Sequence, residues 1–367
     1  MSKNPTSQYE FINAKLRARI GLMRESHLID DLMKANSVVE AVRSFRDGPY
    51  ADVAKVYDET GDLQQIELVL LNKEIEMYQG IVRLLHGEPS DFVTILFEKI
   101  EIENLKNAMR LWFSSVIRLH SIRFRSEYLY KDKIVSDINW TGLINAMTWD
   151  GVVSALGNSP YTVIFKRFSQ QDITEQGVFY LENALDRLWY EQIQEVSETL
   201  VPDDREIVRS IFKVDIDLNN ILILVRFGWY HKLDQEHLSS LLLPWGKIFR
   251  SNEAKAFLAM PEKDRDPTVL LKQKYPELVT AIQKVSSESK EGFGSNELLA
   301  RATLKIEHYL QQKRSTEYHA LLAGNPFSIG ISLAYFFLYT NEESMIKAIL
   351  NGKYYGYSEE YIRGVLA

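Results

Sequence analysis

At 367 residues the chain exceeds one ordinary domain, and at ~150 residues per domain it suggests two or three. Its 43 basic and 50 acidic side chains leave a net charge of −7, which argues against a phosphate backbone as main partner. With 46% apolar and 25% charged residues, 18 Gly, 10 Pro and no Cys, it has the make-up of a packed globule, without disulfides, thiolate metal sites or cysteine nucleophiles.

The N-terminus carries no apolar stretch of the kind a secretory signal needs. Ser37 followed by Glu40 forms a capping box, because the hydroxyl can accept from a free amide and the carboxylate can reach back. A loop is predicted at 47–50. Ile66, Leu70 and Ile75, and then Leu105, Met109, Trp112 and Val116, recur at helical spacing. From 118 to 133, Arg118, His120, Arg123, Arg125, Lys131 and Lys133 alternate with Phe124, Tyr128 and Tyr130. Such interleaving can bind single-stranded nucleic acid, but in an acidic chain it reads better as a solvated helix end with aromatic anchors in the core. Asn139 opens a glycosylation sequon with no visible route to the secretory pathway. A loop follows at 157–160, and Pro202, Asp203 and Glu206 form a second helix start. Asp215, Asp217 and Asn219 resemble the opening of a calcium loop, yet its sixth and twelfth positions hold Asn220 and Arg226 instead of Gly and Glu. Further loops are predicted at 260–267, 286–295 and 322–326. Residues 320–340 are free of charge. Asn325 and Pro326 leave an uninterrupted run of 14 residues, which reads as a buried core helix, not a membrane span. Thr340 to Glu343 forms a third capping box, and Asn351 with Gly352 a C-cap. Strand signals are scarce, so the fold class is all-α.

The most informative feature is internal similarity. Glu67, Glu182 and Glu307 each follow an Ile or Leu and precede a Leu by three residues. Each is followed, 34, 35 and 35 residues later, by an acidic residue read as opening another helix: Glu101, Asp217 and Glu342. Asn104 and Asn220 lie three residues beyond the first two of these, and Arg110 and Arg226 nine residues beyond. The third copy has Met345 and Asn351 at those places. An upstream element also recurs, Val38 and Val39 leading to Pro49 and Tyr50, and Val152 and Val153 leading to Pro160 and Tyr161; its third copy, near 245–257, is indistinct. Offsets of 115 and 125 residues between copies divide the chain into helical units at 1–135, 136–240 and 241–367. Three such units suggest a pseudo-threefold arrangement suited to enclosing something. The repeated carboxylates read as structural, pairing with an arginine or capping a neighbour, in preference to catalytic.

Motifs for chemistry are missing. There is no Walker A loop, no dinucleotide-binding glycine pattern and no His-Glu-x-x-His; the seven histidines form no i,i+4 pair. No catalytic, cofactor-binding or metal-ligating residue is assigned.

The chain resembles the C-subunit family of A-type and bacterial V-type ATPases, whose eukaryotic V-ATPase counterpart is the d subunit. The resemblance runs over essentially the whole length. It is carried by Tyr9, Asn13, Arg17 and Arg19 at the start, by Asn104, Leu105, Lys106 and Arg110, by Asp217, Asn220, Arg226 and Phe227, and by Pro326, Tyr335, Glu342, Ile346, Gly352 and Lys353 at the end. Met345 departs from the family's usual Asn. The resemblance implies a funnel of three similar helical units that sits on the membrane rotor ring and receives the foot of the central stalk. It implies partners of two kinds, central-stalk subunits of the D and F type and the proteolipid ring. It also implies a peripheral place on the cytoplasmic side, no cofactor, no nucleic acid, and a mechanical task without catalysis. The alternative is a helical repeat scaffold of another assembly.

Overall fold

The computed structural model describes residues 5–121, 125–276, 278–280, 283 and 295–366. Among them there is no strand. Eight helices carry the architecture: α1 (Pro5–Glu25), α2 (Leu63–Val82), α3 (Glu88–Trp112), α4 (Phe179–Ser197), α5 (Pro202–Ile223), α6 (Ser295–Leu321), α7 (Gly330–Tyr354) and α8 (Glu359–Leu366). They form hairpins α2/α3, α4/α5 and α6/α7 with short links. Gly87 at φ 64° turns the first link, and Pro89 and Pro202 sit in the first turns of α3 and α5, where a missing N–H costs nothing.

Segments of short helices precede the first hairpin and lie between the hairpins, and each packs on the second helix of a hairpin. Leu32, Ala41, Val42, Phe45 and Val53 form one core with Ile346, Ile349 and Leu350 of α7. Trp140, Leu143, Val152 and Phe165 join the core around α3. Leu238, Leu242, Phe257 and Leu271 close over Leu218, Ile221 and Leu224 of α5 and Ile306 of α6. The segment nearest the N-terminus is therefore seated on the last hairpin.

Helix α7 explains the charge-free stretch. Residues 328–339 are all buried, because α1, α5 and α6 pack on this helix, with the rings of Phe212 and Tyr318 against Phe337 and Asn13 on Ser328 O. A helix apolar all round belongs in a core. Among the described residues no helix is long and apolar enough to cross a membrane.

Several local predictions are corrected. Glu101, Asp217 and Glu342 do not open helices; they lie in the middle of α3, α5 and α7. Thr340 likewise sits mid-helix, where the backbone amides are already satisfied and a capping box has nothing to cap. Asn351 and Gly352 lie inside α7, which ends at Tyr354; the reversal falls at Gly356, φ 72°. Gly352 is instead a contact glycine, since a Cβ there would lie 2.8 Å from Ile362 of α8. At α5 the helix begins at Pro202 without a side-chain cap, and Asp204 turns to tertiary partners. Ser37 does cap its short helix through Glu40 N, but the Glu40 carboxylate accepts from Asn36 N at 2.8 Å. The loops at 47–50, 157–160, 260–267 and 322–326 are present, the third with one 3-10 turn. Most of 286–295 lies outside the described residues. The basic–aromatic segment turns inward: Tyr128 donates to Asp62 at 2.7 Å, Leu129 is buried, and Arg118 lies over the Phe113 ring at 5.0 Å. Arg123 and Phe124 lie outside the described residues.

Candidate functional site: a cavity walled by six helices

Helices α2 to α7 together line a cavity of about 760 Å³. Its wall is built by contacts that recur around it. Arg110 at the end of α3 grips Glu182 of α4, Nε and Nη2 meeting the two carboxylate oxygens at 2.7 and 2.8 Å. Arg226, beyond the end of α5, reaches Glu307 of α6 at 2.9 and 3.0 Å. Asn351 of α7 donates to Glu67 of α2 at 2.8 Å. The three repeated glutamates thus each meet the residue nine places beyond a mid-helix acid on a neighbouring hairpin.

The mid-helix acids face away from these seams, toward the short-helix segments. Glu101 is fully buried; its Oε2 accepts from the amides of Val135 and Ser136, both at 2.8 Å, and its Oε1 from Tyr161 at 2.9 Å. Asp217 Oδ1 accepts from the amides of Lys247 and Ile248, both at 2.7 Å. The close approach there requires Gly246, at φ 80°, where a Cβ would lie 2.5 Å from that oxygen. Glu342 accepts from Tyr50 at 3.1 Å. Burial of its carboxyl, together with neighbouring Glu343, pushes it up to about 7, against the Tyr50 hydrogen bond. Asn104 donates to Tyr130 O at 2.9 Å, and Asn220 exchanges two hydrogen bonds with the backbone of Leu243. Among the described residues Met345 makes no such link and accepts from Asn341 of its own helix.

Sequence reasoning missed the charged groups on the cavity wall. At the α3/α4 seam, Lys99 and Lys106 both reach Asp186 Oδ1, at 2.6 and 2.5 Å, and both reach Glu103, at 2.9 and 3.1 Å. Burial alone would lower the Lys99 ammonium, but Asp186 and Glu103 outweigh it and hold it above its ordinary value. At the α5/α6 seam, Arg314 meets Asp215 at 2.7 Å, and Tyr190 and Tyr318 donate to the same carboxylate. At the α2/α7 seam, Thr340 donates to Glu74 at 3.2 Å, and Lys347 pairs with Glu343 of its own helix. A signal existed in the repeat frame. Lys99, Asp215 and Thr340 each stand two residues before a mid-helix acid, while Trp189, Arg314 and Glu74 stand seven after a repeated glutamate. Lys99 lies 5.5 Å from the Trp189 ring, so the same two positions meet at all three seams with different chemistry.

Helix α1 ties the last two hairpins together. Tyr9 donates to Asp204 at 2.6 Å, and Asp204 also accepts from Ile329 N at 2.9 Å. Asn13 donates to the carbonyls of Pro326 and Ser328, both at 2.8 Å, and Arg17 to that of Leu322 at 2.9 Å. Among the described residues no group of three His, Asp or Glu side chains is placed to hold a metal ion.

Residues 12–365 match the family model of the ATP synthase (C/AC39) subunit. The chain belongs to this family. It is similar to the C subunit of the A-type ATP synthase of Methanosarcina mazei, 21% identical over 99% of this chain and 94% of the relative. It is also similar to that of Methanosarcina barkeri, 22% identical over 99% and 94%. The protein of the same name from Methanosphaera stadtmanae is 25% identical over 59% of this chain and 54% of its own length. Within the C/AC39 family, the residues that carried the resemblance have defined places here. Tyr9, Asn13 and Arg17 clamp the α6/α7 link, Glu342 receives Tyr50, and Lys353 donates to Met33 O at 2.6 Å.

Proposed function

We propose that this chain is the non-catalytic central-stalk adaptor of a rotary ATP synthase or ATPase of the A/V type, coupling the rotor shaft to the membrane ring during ATP-linked proton or sodium transport. The observation that carries the reading is the match of a C/AC39-family chain over 12–365 to a body whose long helices wall one cavity. In this reading the three hairpins with their short-helix segments are copies of one unit, divided near residues 135 and 240 and set around the cavity in a pseudo-threefold funnel. The recurring seams support it: Arg110 with Glu182, Arg226 with Glu307 and Asn351 with Glu67. The segment carrying Tyr50 packs on α7, so the first unit interlocks with the third and the succession of hairpins closes on itself. The ten repeat positions then have structural tasks. The funnel receives stalk subunits of the D and F type and rests on the proteolipid ring, peripheral to the membrane on its cytoplasmic side. Close-packed helices suit torque transfer, because packed interiors have low compressibility.

The test is reconstitution. The purified chain should co-elute with the stalk subunits, bind the membrane ring and hydrolyse no ATP. A complex lacking it should retain ATP hydrolysis in the head and lose ion pumping; pumping at the intact complex's rate would overturn the reading. A helical scaffold of another assembly would bind neither partner.

A further inference from the structure

The three seams differ in what crosses them. Lys99 and Lys106 reach Asp186 across α3/α4, and Arg314 reaches Asp215 across α5/α6. Among the described residues no cation pairs with a carboxylate across α2/α7. Asn351 stands where the other seams have arginine, and Lys347 is spent on Glu343 in its own helix. What meets across this seam instead is a pair of carboxyl groups. Glu74 of α2 is 5% exposed and Glu343 of α7 1% exposed, and Thr340, which donates to Glu74, stands about one helical turn before Glu343 on α7, so the two carboxyl groups lie side by side at the seam. Two carboxylates carry only acceptors, so a hydrogen bond between them requires a proton. Glu74 Oε1 already accepts from Thr340, and Glu343 Oε2 from Lys347, while Glu343 Oε1 finds no donor among the protein's other groups.

We propose that the α2/α7 seam is the joint at which the helical body opens, and that one proton shared by Glu74 and Glu343 holds it shut. With the proton present, a carboxylic acid donates to a carboxylate that Lys347 neutralises. Without it, two buried anions face each other with one cation between them, and like charges in a low-dielectric site repel. The surrounding groups offset this only in part: Lys347 and the Tyr339 hydroxyl favour the Glu343 anion and Thr340 the Glu74 anion, while burial opposes both. Tyr78 of α2 and Tyr335 and Tyr339 of α7 are neutral phenols. Tyr50 of the N-terminal segment is committed to Glu342, itself an acid. On α3, Lys99 is balanced by Asp186 and Glu103, and across the cavity Arg314 is balanced by Asp215. Burial and the neighbouring Glu343 push Glu74 well above the ordinary carboxylate range, so its proton is lost only as pH rises.

The absence of cysteine makes a distance measurement direct. Spin labels are attached to Glu76→Cys and Ser344→Cys, both exposed, on α2 and α7, in the full chain. A control pair, Asp91→Cys with Glu195→Cys, spans α3/α4 at exposed sites. Between a mildly acidic and an alkaline pH the seam distribution should move to longer distances and broaden, while the control stays fixed and helicity by circular dichroism is retained. With Glu343→Gln, whose amide donates without titrating, the seam distribution should be equally narrow at both pH values; Glu74→Gln should behave alike. A wild-type seam that does not respond to pH would overturn the proposal. So would a Gln variant that opens with pH as the wild type does. If one variant fails to fold, the wild-type pair and the other variant still decide. The joint is a property of the body alone, so its test stands apart from binding of any stalk subunit.

Discussion

Glu101 and Arg110 lie in one helix yet differ in energetic weight. The Glu101 carboxylate is buried, pairs with no cation among the described residues, and is held by two amides and a phenol. Glu101→Gln keeps the shape, but forces an amide NH₂ against one of those donors. A loss of about 2–4 kcal/mol is expected, read from urea unfolding. Asp217→Asn should cost a similar amount, since its two amide donors are arranged alike. Arg110 is about half exposed, its side chain at 52%, so water screens its bidentate pair with Glu182. Arg110→Ala should therefore cost less than ~1 kcal/mol. Equal losses at the two sites would refute the division into buried anchors and a screened seam. The recurrence of these acids is legible in the sequence because all three copies kept an acidic side chain. The wall positions are not, because the same contact became a lysine on a tryptophan, an arginine with an aspartate and a threonine with a glutamate. Geometry repeats there and residue type does not.

At the scale of elements, turn chemistry misleads where tertiary contact decides. Thr340 to Glu343 has the pattern of a helix start, yet the chain is already helical from Gly330, because the preceding apolar turns are held by α1, α5 and α6. Asn351 and Gly352 have the pattern of a helix end, but the glycine is there to let Ile362 approach. Gly352→Ala would place a methyl 2.8 Å from that side chain and should loosen α8 while leaving α7 helical. Hydrogen exchange should then rise in residues 359–366 and remain slow in residues 330–350. Gly246 tests a different mechanism. Its φ of 80° and the 2.5 Å approach to Asp217 both oppose a side chain. Gly246→Ala should cost about 1–3 kcal/mol and weaken the docking of residues 243–271 on α5. The second helices of the hairpins end alike in a way no residue pattern announced. Each reaches a left-handed residue, Leu119, Lys232 or Gly356. The first two follow a π-helical turn, closed by Arg118 N on Phe113 O and His231 N on Arg226 O, and just past the left-handed residue His120 N bonds to Ser114 O and Leu233 N to Phe227 O. Only the third is the glycine that a sequence pattern would have sought.

For the molecule as a whole, buried acids set the direction of its response to pH. Glu98 in α3 is pushed up to about 7 by burial and by Glu101, against a hydrogen bond from Gln192. Glu342 in α7 is pushed up to about 7 by burial and Glu343. A carboxyl whose folded value lies above its unfolded one binds protons more tightly in the folded state. Its contribution is complete below the ordinary carboxylate range and is lost as pH rises through the folded value. Surface carboxylates such as Asp52, held low by Lys73, work in the opposite sense, but only in acid. Thermal stability should therefore fall between about pH 6 and pH 8. Glu98→Gln should flatten part of that decline by removing a titrating group from the α3/α4 side. Glu342→Gln should flatten a separate part at the contact with Tyr50. The two effects should add, because the groups lie in different helices with different partners. Melting curves across this range for both single variants and the double variant check the prediction, and stability that climbs steadily with pH in the wild type would contradict it.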